Sequence, residues 1–233
     1  MIGRCLLIPL SNYVNMNEEV RAAGECTNTE VQMNDKFFDL AREKQDRMIN
    51  GAVEVFAKNG YKHASTDDMV KTVGVSKGLW FHYFGSKEGI YVFVYDYCVK
   101  YMLLELSTIV DENETNYFDL MIQIAKTKVK VGQTYPYLTI FLEEAAHEPE
   151  QALVAKTAAS RQIYEERLDA YLKPAEIANV PDKGRRERIK KMLEYSISGI
   201  IRDKTAQAAD ADVIFREIKA YIDLMRDMAL NLT

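Results

Sequence analysis

The stretch of sequence that decides the fold occupies residues 64–90 and reads ASTDDMVKTVGVSKGLWFHYFGSKEGI. Ser65 and Asp68 have the S/T-x-x-D/E spacing that satisfies free amides at a helix start, and Ser76 can begin a further short helix in the same way. Gly74 suits the reversal between them, because a residue with a Cβ would lose about 1 kcal/mol or more in a left-handed turn. The stretch therefore predicts two short helices joined by a tight turn.

An apolar stripe upstream can complete a small core under these helices. A helical pattern begins at Glu43, and the Asn59-Gly60 pair is expected to stop it as a left-handed cap would. Three- and four-residue spacing places the apolar residues of all three helices on facing sides. The predicted core consists of Ala52, Phe56, Met69, Val70, Val73, Val75, Trp80 and Phe84.

This packing leaves the start of the third helix facing outward, where its free amides can meet an anion such as a phosphate. Residues 69–87 contain no carboxylate, whereas Lys71, Lys77 and Lys87 are cationic. Residues 121–142 are equally free of acids and also carry lysines, so charge alone does not identify the surface. Lys77 and Lys87 could equally be ordinary solvated lysines.

Over about residues 42–101 the sequence resembles the DNA-binding region of the TetR family of bacterial regulators. The shared pieces are Phe56-Ala57-x-x-Gly60, Thr66, Gly74-Val75-Ser76-Lys77-Gly78, His82-Tyr83-Phe84 and Ser86-Lys87-Glu88. The resemblance implies the following DNA contacts: phosphates at Thr66 and Lys87, bases at Lys77, Gly78, Leu79 and His82, and the sugar-phosphate backbone at Phe81 and Tyr83.

Two positions depart from the family's common pattern. Leu79 stands where the family often has threonine, and Phe81 where it often has tyrosine. Two hydroxyls that could bond to DNA are therefore absent, and Leu79 could instead contact a thymine methyl group. Asp67 and Asp68 lie close to the same surface and would repel phosphate unless they cap the second helix.

Composition sets the limits of the interpretation. The chain has 233 residues, 48% of them apolar, and a formal net charge of −5, so any contact with DNA must be local. Its three cysteines include no CxxC pair, which argues against disulfides and a thiolate zinc site and favours the cytoplasm. We predict no cofactor, no metal, no export signal and no membrane segment.

The whole chain is predicted to be all-α, with about nine helices. Residues 1–35 are predicted to be a flexible N-terminal extension, 36–88 a three-helix domain with the helix-turn-helix, and 89–233 a larger helical ligand-binding and dimerisation domain. Residues 90–95 are β-branched and aromatic, a composition typical of a strand, but the length of the segment favours a helix.

The resemblance implies that the last two helices form a homodimer and that the middle helices enclose a small-molecule pocket. Residues 184–204 and 211–231 each carry an apolar stripe, which could also pack within one monomer. Glu143 and His147 could form a cation site, although two ligands without a third favour a surface pair. The aromatic candidates for the pocket, each of which could be ordinary core, are Tyr97, Tyr101, Phe118, Tyr135, Phe141, Tyr164 and Tyr171.

These observations predict a sequence-specific, DNA-binding transcription regulator, a repressor that a small-molecule ligand releases from its operator. Its predicted partners are double-stranded operator DNA, an unknown effector and a second copy of the chain. The alternative is a helical protein-interaction module that has kept the fold but lost specific DNA binding. An enzyme is not predicted, because the sequence holds no nucleophile-base motif or phosphate loop and its three histidines are scattered.

Overall fold

The computed structural model describes residues 35–178 and 180–230. The predicted extension, residues 1–35, lies outside this part of the chain except for Asp35. A short 3-10 turn at Asp35–Phe37 precedes nine α-helices in the described residues. They are α1 (Arg42–His63), α2 (Thr66–Val73), α3 (Lys77–Phe84), α4 (Lys87–Ile109), α5 (Tyr117–Thr134), α6 (Leu138–Ala145), α7 (Gln151–Leu172), α8 (Lys183–Ala206) and α9 (Ala211–Leu230). The all-α prediction is confirmed.

The predicted caps form at the starts of α2, α3 and α4. The Ser65 hydroxyl accepts from two amides of the first turn of α2, at 3.2 and 3.4 Å. The Ser76 hydroxyl accepts from the Leu79 amide at 3.2 Å, and the Ser86 hydroxyl accepts from an amide of α4 at 3.0 Å. Gly74 ends α2 in the left-handed conformation, with φ 74°. The turn between α2 and α3 therefore has the chemistry that the sequence predicts.

The β-branched and aromatic run at residues 90–95 is helical, as its length predicts. Every side chain from Ile90 to Tyr95 is buried, so this part of α4 is enclosed on all sides. A helix that is enclosed on all sides needs no polar face and can therefore be apolar at consecutive positions.

Helix α1 differs from its predicted end. The sequence predicts that it stops at Asn59-Gly60, but one more turn follows as far as His63. Gly60 interrupts the helical dihedral angles with φ 66° and ψ 173°, and the Ala64 amide then bonds back to its carbonyl at 3.1 Å. The predicted break is thus a kink, after which the chain makes a final turn before α2.

The predicted core is confirmed, with Val70 and Val75 half-buried at its edge and the other members buried. It also includes Phe37, whose ring lies 5.7 Å from Tyr83, 5.2 Å from Phe84 and 5.4 Å from Phe93. Phe84 belongs to α3 and Phe93 to α4. This aromatic cluster therefore continues the core across residue 88, the predicted domain boundary.

Helices α1 and α2 approach each other closely at Gly51. A Cβ placed on Gly51 would lie 2.4 Å from Cγ2 of Val73, much closer than carbon atoms can come. The absence of a side chain at Gly51 therefore sets the distance between α1 and α2, and with it the position of the turn that carries α3.

Helices α5, α6 and α7 pack against α4. Helix α4 contacts α5 and α7, while α9 packs on α5 and α8. An isolated bridge joins the loop before α5 to the loop after α7, where the Glu176 carbonyl accepts from the Tyr117 amide at 3.1 Å. None of the described helices combines the length and apolarity needed to cross a bilayer.

Candidate nucleic-acid interface and ligand region

Helix α3 has one buried face and one exposed face. Trp80 and Phe84 point into the core, whereas Lys77, Gly78 and His82 are exposed. Open space surrounds Gly78, since a Cβ built there would meet no atom within 4 Å. The exposed face therefore offers a cation, a bare stretch of backbone and an imidazole on a helix that the core holds rigidly.

Lys77 and Asp67 form an ion pair on this face. The distance from Lys77 Nζ to Asp67 Oδ1 is 2.8 Å, and the two side chains are 51% and 70% exposed. An ion pair so exposed contributes little to stability, because water screens it and both side chains lose freedom. Its consequence is electrostatic: Lys77 offsets a carboxylate that would otherwise repel phosphate.

Lys87 folds back onto the end of α1. Its Nζ lies 4.6 Å from the centroid of the Tyr61 ring and donates to the Lys62 carbonyl at 3.3 Å. Burial lowers the pKa of Lys87 below its usual value. Thr66, the other predicted phosphate contact, is the first residue of α2 and is partly exposed.

The other predicted DNA contacts are less exposed. Leu79 and Phe81 are half-buried. Tyr83 is only 7% exposed, and its ring packs edge-on against Phe37. The Tyr83 ring therefore belongs to the core, and little of its surface can reach DNA.

Three of the seven predicted pocket residues form one cluster. The ring centroids of Tyr97, Tyr101 and Tyr135 lie 5.0–6.2 Å apart. The Tyr135 hydroxyl donates to Asp46 Oδ1 at 2.6 Å and, at 2.6 Å, accepts from the Tyr97 hydroxyl. Burial raises the pKa values of both tyrosines in this bonded pair. Because Asp46 belongs to α1, a chain of hydrogen bonds that is buried at Tyr97 and partly buried at Asp46 links the middle helices to α1.

The other four predicted pocket residues lie outside this cluster of tyrosines. Phe141 packs against Phe56 of α1, with ring centroids 6.0 Å apart. Phe118 lies beside Arg226 of α9, and Tyr171 is buried near the end of α7. Tyr164 is partly buried on α7, where burial raises its pKa.

Glu143 and His147 do not form a matched pair of ligands. Glu143 Oε1 accepts from Ser198 at 2.7 Å and from Lys128 at 3.3 Å, which joins α5, α6 and α8. His147 lies beyond the end of α6 and is exposed. In the described part of the chain no cluster of three histidine, cysteine or acidic side chains could hold a metal ion.

The hydrogen bond from Tyr135 to Asp46 can be tested by removing one oxygen. Tyr135→Phe is expected to lower the free energy of unfolding by about 2 kcal/mol, because a buried bond to a charged group is lost and the Tyr97 hydroxyl loses its acceptor. Urea denaturation followed by circular dichroism measures the change. Ser107→Ala also removes a single hydroxyl, from an exposed side chain of α4, and should change the free energy of unfolding by less than about 0.5 kcal/mol. Equal stability of the two variants would contradict the role of this bond.

Large apolar side chains remain exposed along the last two helices. Met192 and Tyr195 lie on α8, and Gly199, also exposed, follows one turn later with open space around it. The exposed members on α9 are Val213, Tyr221, Leu224 and Met228. We refer to these seven residues as the α8–α9 face. Large apolar side chains exposed at three- and four-residue spacing, as at residues 192 and 195 and at residues 221, 224 and 228, are typical of a protein–protein interface.

Comparison with known proteins supports a helix-turn-helix formed by α2 and α3. The sequence profile of bacterial regulatory proteins, TetR family, matches residues 48–92. A biofilm operon negative regulator, IcaR of Staphylococcus aureus (strain Newman), is 30% identical over 73 residues, which are 31% of this chain and 38% of that relative. The chain thus spans well under half the length of this curated relative.

Solved structures share the fold over most of the chain. The regulator PfmR of Thermus thermophilus superimposes with a TM-score of 0.55 at 19% identity, over 78% of this chain and 97% of that protein. FadR of Bacillus subtilis, in complex with stearoyl-CoA, gives a TM-score of 0.50 at 17% identity, over 76% and 96% of the two chains.

The fold and the exposed α3 define an all-helical protein with an N-terminal helix-turn-helix. Residues 48–92, which include this helix-turn-helix, match the profile of bacterial regulatory proteins of the TetR family.

Proposed function

We propose that this protein is a homodimeric repressor that binds operator DNA through α3 and is released by a small-molecule ligand. One observation carries the proposal: the exposed face of α3, with Lys77, Gly78 and His82, lies on a rigid core within the segment that matches the TetR-family profile. IcaR, a relative over this segment, is named as a negative regulator, which favours repression.

We propose that DNA binding and ligand binding belong to two different parts of the chain. Residues 36–88 would read DNA, and 89–233 would bind the ligand and form the dimer. Thr66, Lys77, Gly78, Leu79, Phe81, His82 and Lys87 would contact DNA, while Tyr83 would act chiefly by holding α3 in place. A regulator of this kind would act in the cytoplasm, where bacterial DNA lies.

The α8–α9 face supports the homodimer. Pairing this face with the same face of a second copy would build a four-helix interface around a two-fold axis. The exposed Gly199 would let two α8 helices approach closely. A dimer could place two copies of α3 about 34 Å apart, in successive major grooves of a near-palindromic site.

The chain of hydrogen bonds from Tyr97 through Tyr135 to Asp46 supports control by a ligand. A molecule that displaced Tyr135 would remove a hydrogen bond from Asp46, which lies on α1, and one that displaced Tyr97 would remove the partner of the Tyr135 hydroxyl. The ligand would then favour a domain arrangement that no longer fits the operator. FadR, which shares the fold, has stearoyl-CoA bound. This supports room for a small molecule in the fold, but it does not indicate which molecule this chain binds.

DNA binding can be tested without knowing the operator. Fragments selected from random DNA by the purified protein at about 150 mM salt, where nonspecific binding is weak, should share a two-fold symmetric site. On that site Lys77→Ala and His82→Ala should each weaken binding by about tenfold or more, the typical effect of a lost base contact.

Lys126→Ala is the matched control, because Lys126 is an exposed lysine on α5. It removes the same charge as Lys77→Ala and should leave the affinity nearly unchanged. If no fragment were enriched, the protein-interaction alternative would replace this proposal.

A further inference from the structure

Asp67 and Lys77 lie at the starts of the two helices of the helix-turn-helix. Asp67 is the second residue of α2, and its amide donates to the Ser65 hydroxyl at 3.2 Å. Lys77 is the first residue of α3, whose start is capped by Ser76. Because these caps fix both backbones, the two side chains project from defined positions and meet in one ion pair.

The Asp67 carboxylate does not cap α2. The Ser65 hydroxyl is the cap, so the carboxylate remains at the surface, 2.8 Å from Lys77 Nζ. Thr66, a proposed phosphate contact, is its neighbour in sequence. A carboxylate at this position opposes the approach of any phosphate, and an ion pair so exposed adds little to stability. Neither helix capping nor stability therefore explains why an acid stands here.

The helix-turn-helix has no excess of positive charge. Residues 64–90 contain three lysines and three carboxylates. Nonspecific binding to DNA depends on cations that contact phosphates, whereas specific binding also depends on contacts with base edges. A partner that withdraws Lys77 from phosphates therefore lowers nonspecific affinity more than specific affinity.

The ion pair leaves Lys77 two N–H donors. Its ammonium group has three, and Asp67 Oδ1 lies close enough to accept from one of them. Half of the Lys77 side chain is exposed, so the other two donors can reach DNA. A phosphate that approached them would also meet the negative Asp67 carboxylate, whereas a guanine presents two neutral acceptors, N7 and O6, in the major groove. The pair therefore suits a guanine edge better than a phosphate.

We propose that Asp67 is a positioning residue for base recognition, which directs Lys77 to a guanine edge and away from the phosphates. This inference rests on the proposed DNA binding through α3. A free lysine side chain samples many rotamers, and the carboxylate restricts them before DNA arrives, so less freedom is lost on binding. Asp67 thereby sets the ratio of specific to nonspecific affinity, and it does so without contacting DNA.

Selection from random DNA, with the full-length protein and its variants, tests the inference. Lys77→Ala should abolish the preference for guanine at one base pair of each half-site, which locates the base that Lys77 reads. Asp67→Asn removes the charge and keeps the shape. It should lower the preference at that same base pair by about fivefold and leave the preferences at other base pairs unchanged.

Nonspecific binding gives a second measurement, which needs no operator. Asp67→Asn should bind a duplex of random sequence about fivefold more tightly. The slope of log affinity against log salt concentration should become steeper by about 0.9 for each Lys77 that gains a phosphate. Fluorescence anisotropy between about 50 and 200 mM salt measures both quantities. A merely structural role for Asp67 would instead weaken binding to every DNA.

Asp68→Asn is the matched control. It removes the same charge from the next residue, which is also exposed and forms no ion pair within the described part of the chain. Its base preferences and its nonspecific affinity should stay within about twofold of the wild type. Thermal melts check that each variant is folded.

Three results would overturn the inference while the proposed DNA binding stands. Lys77→Ala could leave every base preference unchanged, or Asp67→Asn could keep the full preference for guanine. In the third case Asp67→Asn and Asp68→Asn would behave alike, so that total charge alone would explain the effect. Wild-type protein that enriched no fragment would overturn the proposed DNA binding, and this inference with it.

Discussion

Replacing Leu224 by glutamate is expected to convert the proposed dimer into folded monomers and to weaken operator binding by a factor on the order of 10²–10⁴. Leu224 is 57% exposed at the centre of the apolar stripe on α9. A two-fold axis would bring two copies of the new carboxylate into one apolar interface, where each would have to lose its hydration. A monomer would present only one α3, so the second half-site would no longer add to the affinity.

Sedimentation equilibrium measures the mass, and fluorescence anisotropy with the selected DNA measures the affinity. Ala158→Glu places the same charge on an exposed position of α7, away from the α8–α9 face, and should leave both quantities unchanged. A Leu224→Glu protein that remained a dimer would show that another surface forms the interface. A monomer with full affinity would instead show that one α3 is sufficient for binding.

Replacing Gly51 by valine is expected to destabilise the helix-turn-helix segment by about 3 kcal/mol or more. Even a Cβ at this position would overlap Cγ2 of Val73, and valine adds two methyl groups that a stiff, branched neighbour cannot avoid. Helices α1 and α2 would have to separate, which would also move the turn that positions α3. Operator binding should therefore fall together with stability.

Urea denaturation measures the loss of stability in Gly51→Val. Two further variants test whether the overlap with Val73 causes it. Gly132→Ala adds a methyl group to a helical glycine with open space around it and should be neutral or stabilise by up to about 1 kcal/mol. The double variant Gly51→Ala/Val73→Ala should lose less free energy of unfolding than the two single variants lose together. The reason is that removing the Val73 methyl groups makes room for the methyl group added at residue 51. If the two losses of unfolding free energy simply added up, the contact with Val73 would not be the reason that glycine is needed at residue 51.

Local chemistry made much of the fold predictable. Ser65, Ser76 and Ser86 cap helices because their hydroxyls can reach amides two or three residues ahead, a property that depends only on nearby residues. Gly74 was predictable for the same reason, since a left-handed turn favours glycine wherever it occurs. Trp80 and Phe84 were assigned to the core by helical spacing alone.

Contacts between distant residues were not predictable. Nothing beside Gly51 in sequence shows that Val73 will lie against it, and Phe37 precedes the periodic part of α1 yet packs on α3 and α4. The DNA-contact residues came from a family resemblance, which could not reveal that Lys87 would lie over Tyr61. Neither could it show that Lys77 would pair with Asp67, because an exposed side chain selects its partner in three dimensions.

The aromatic cluster around Phe37 determines where the protein can bend. Because Phe37 packs on both Phe84 and Phe93, and these two rings also lie 5.4 Å apart, α3 and the first two turns of α4 form one block. Any pivot between α3 and the proposed effector domain would therefore lie beyond Phe93 rather than at residue 88, and the first part of α4 would move together with α3.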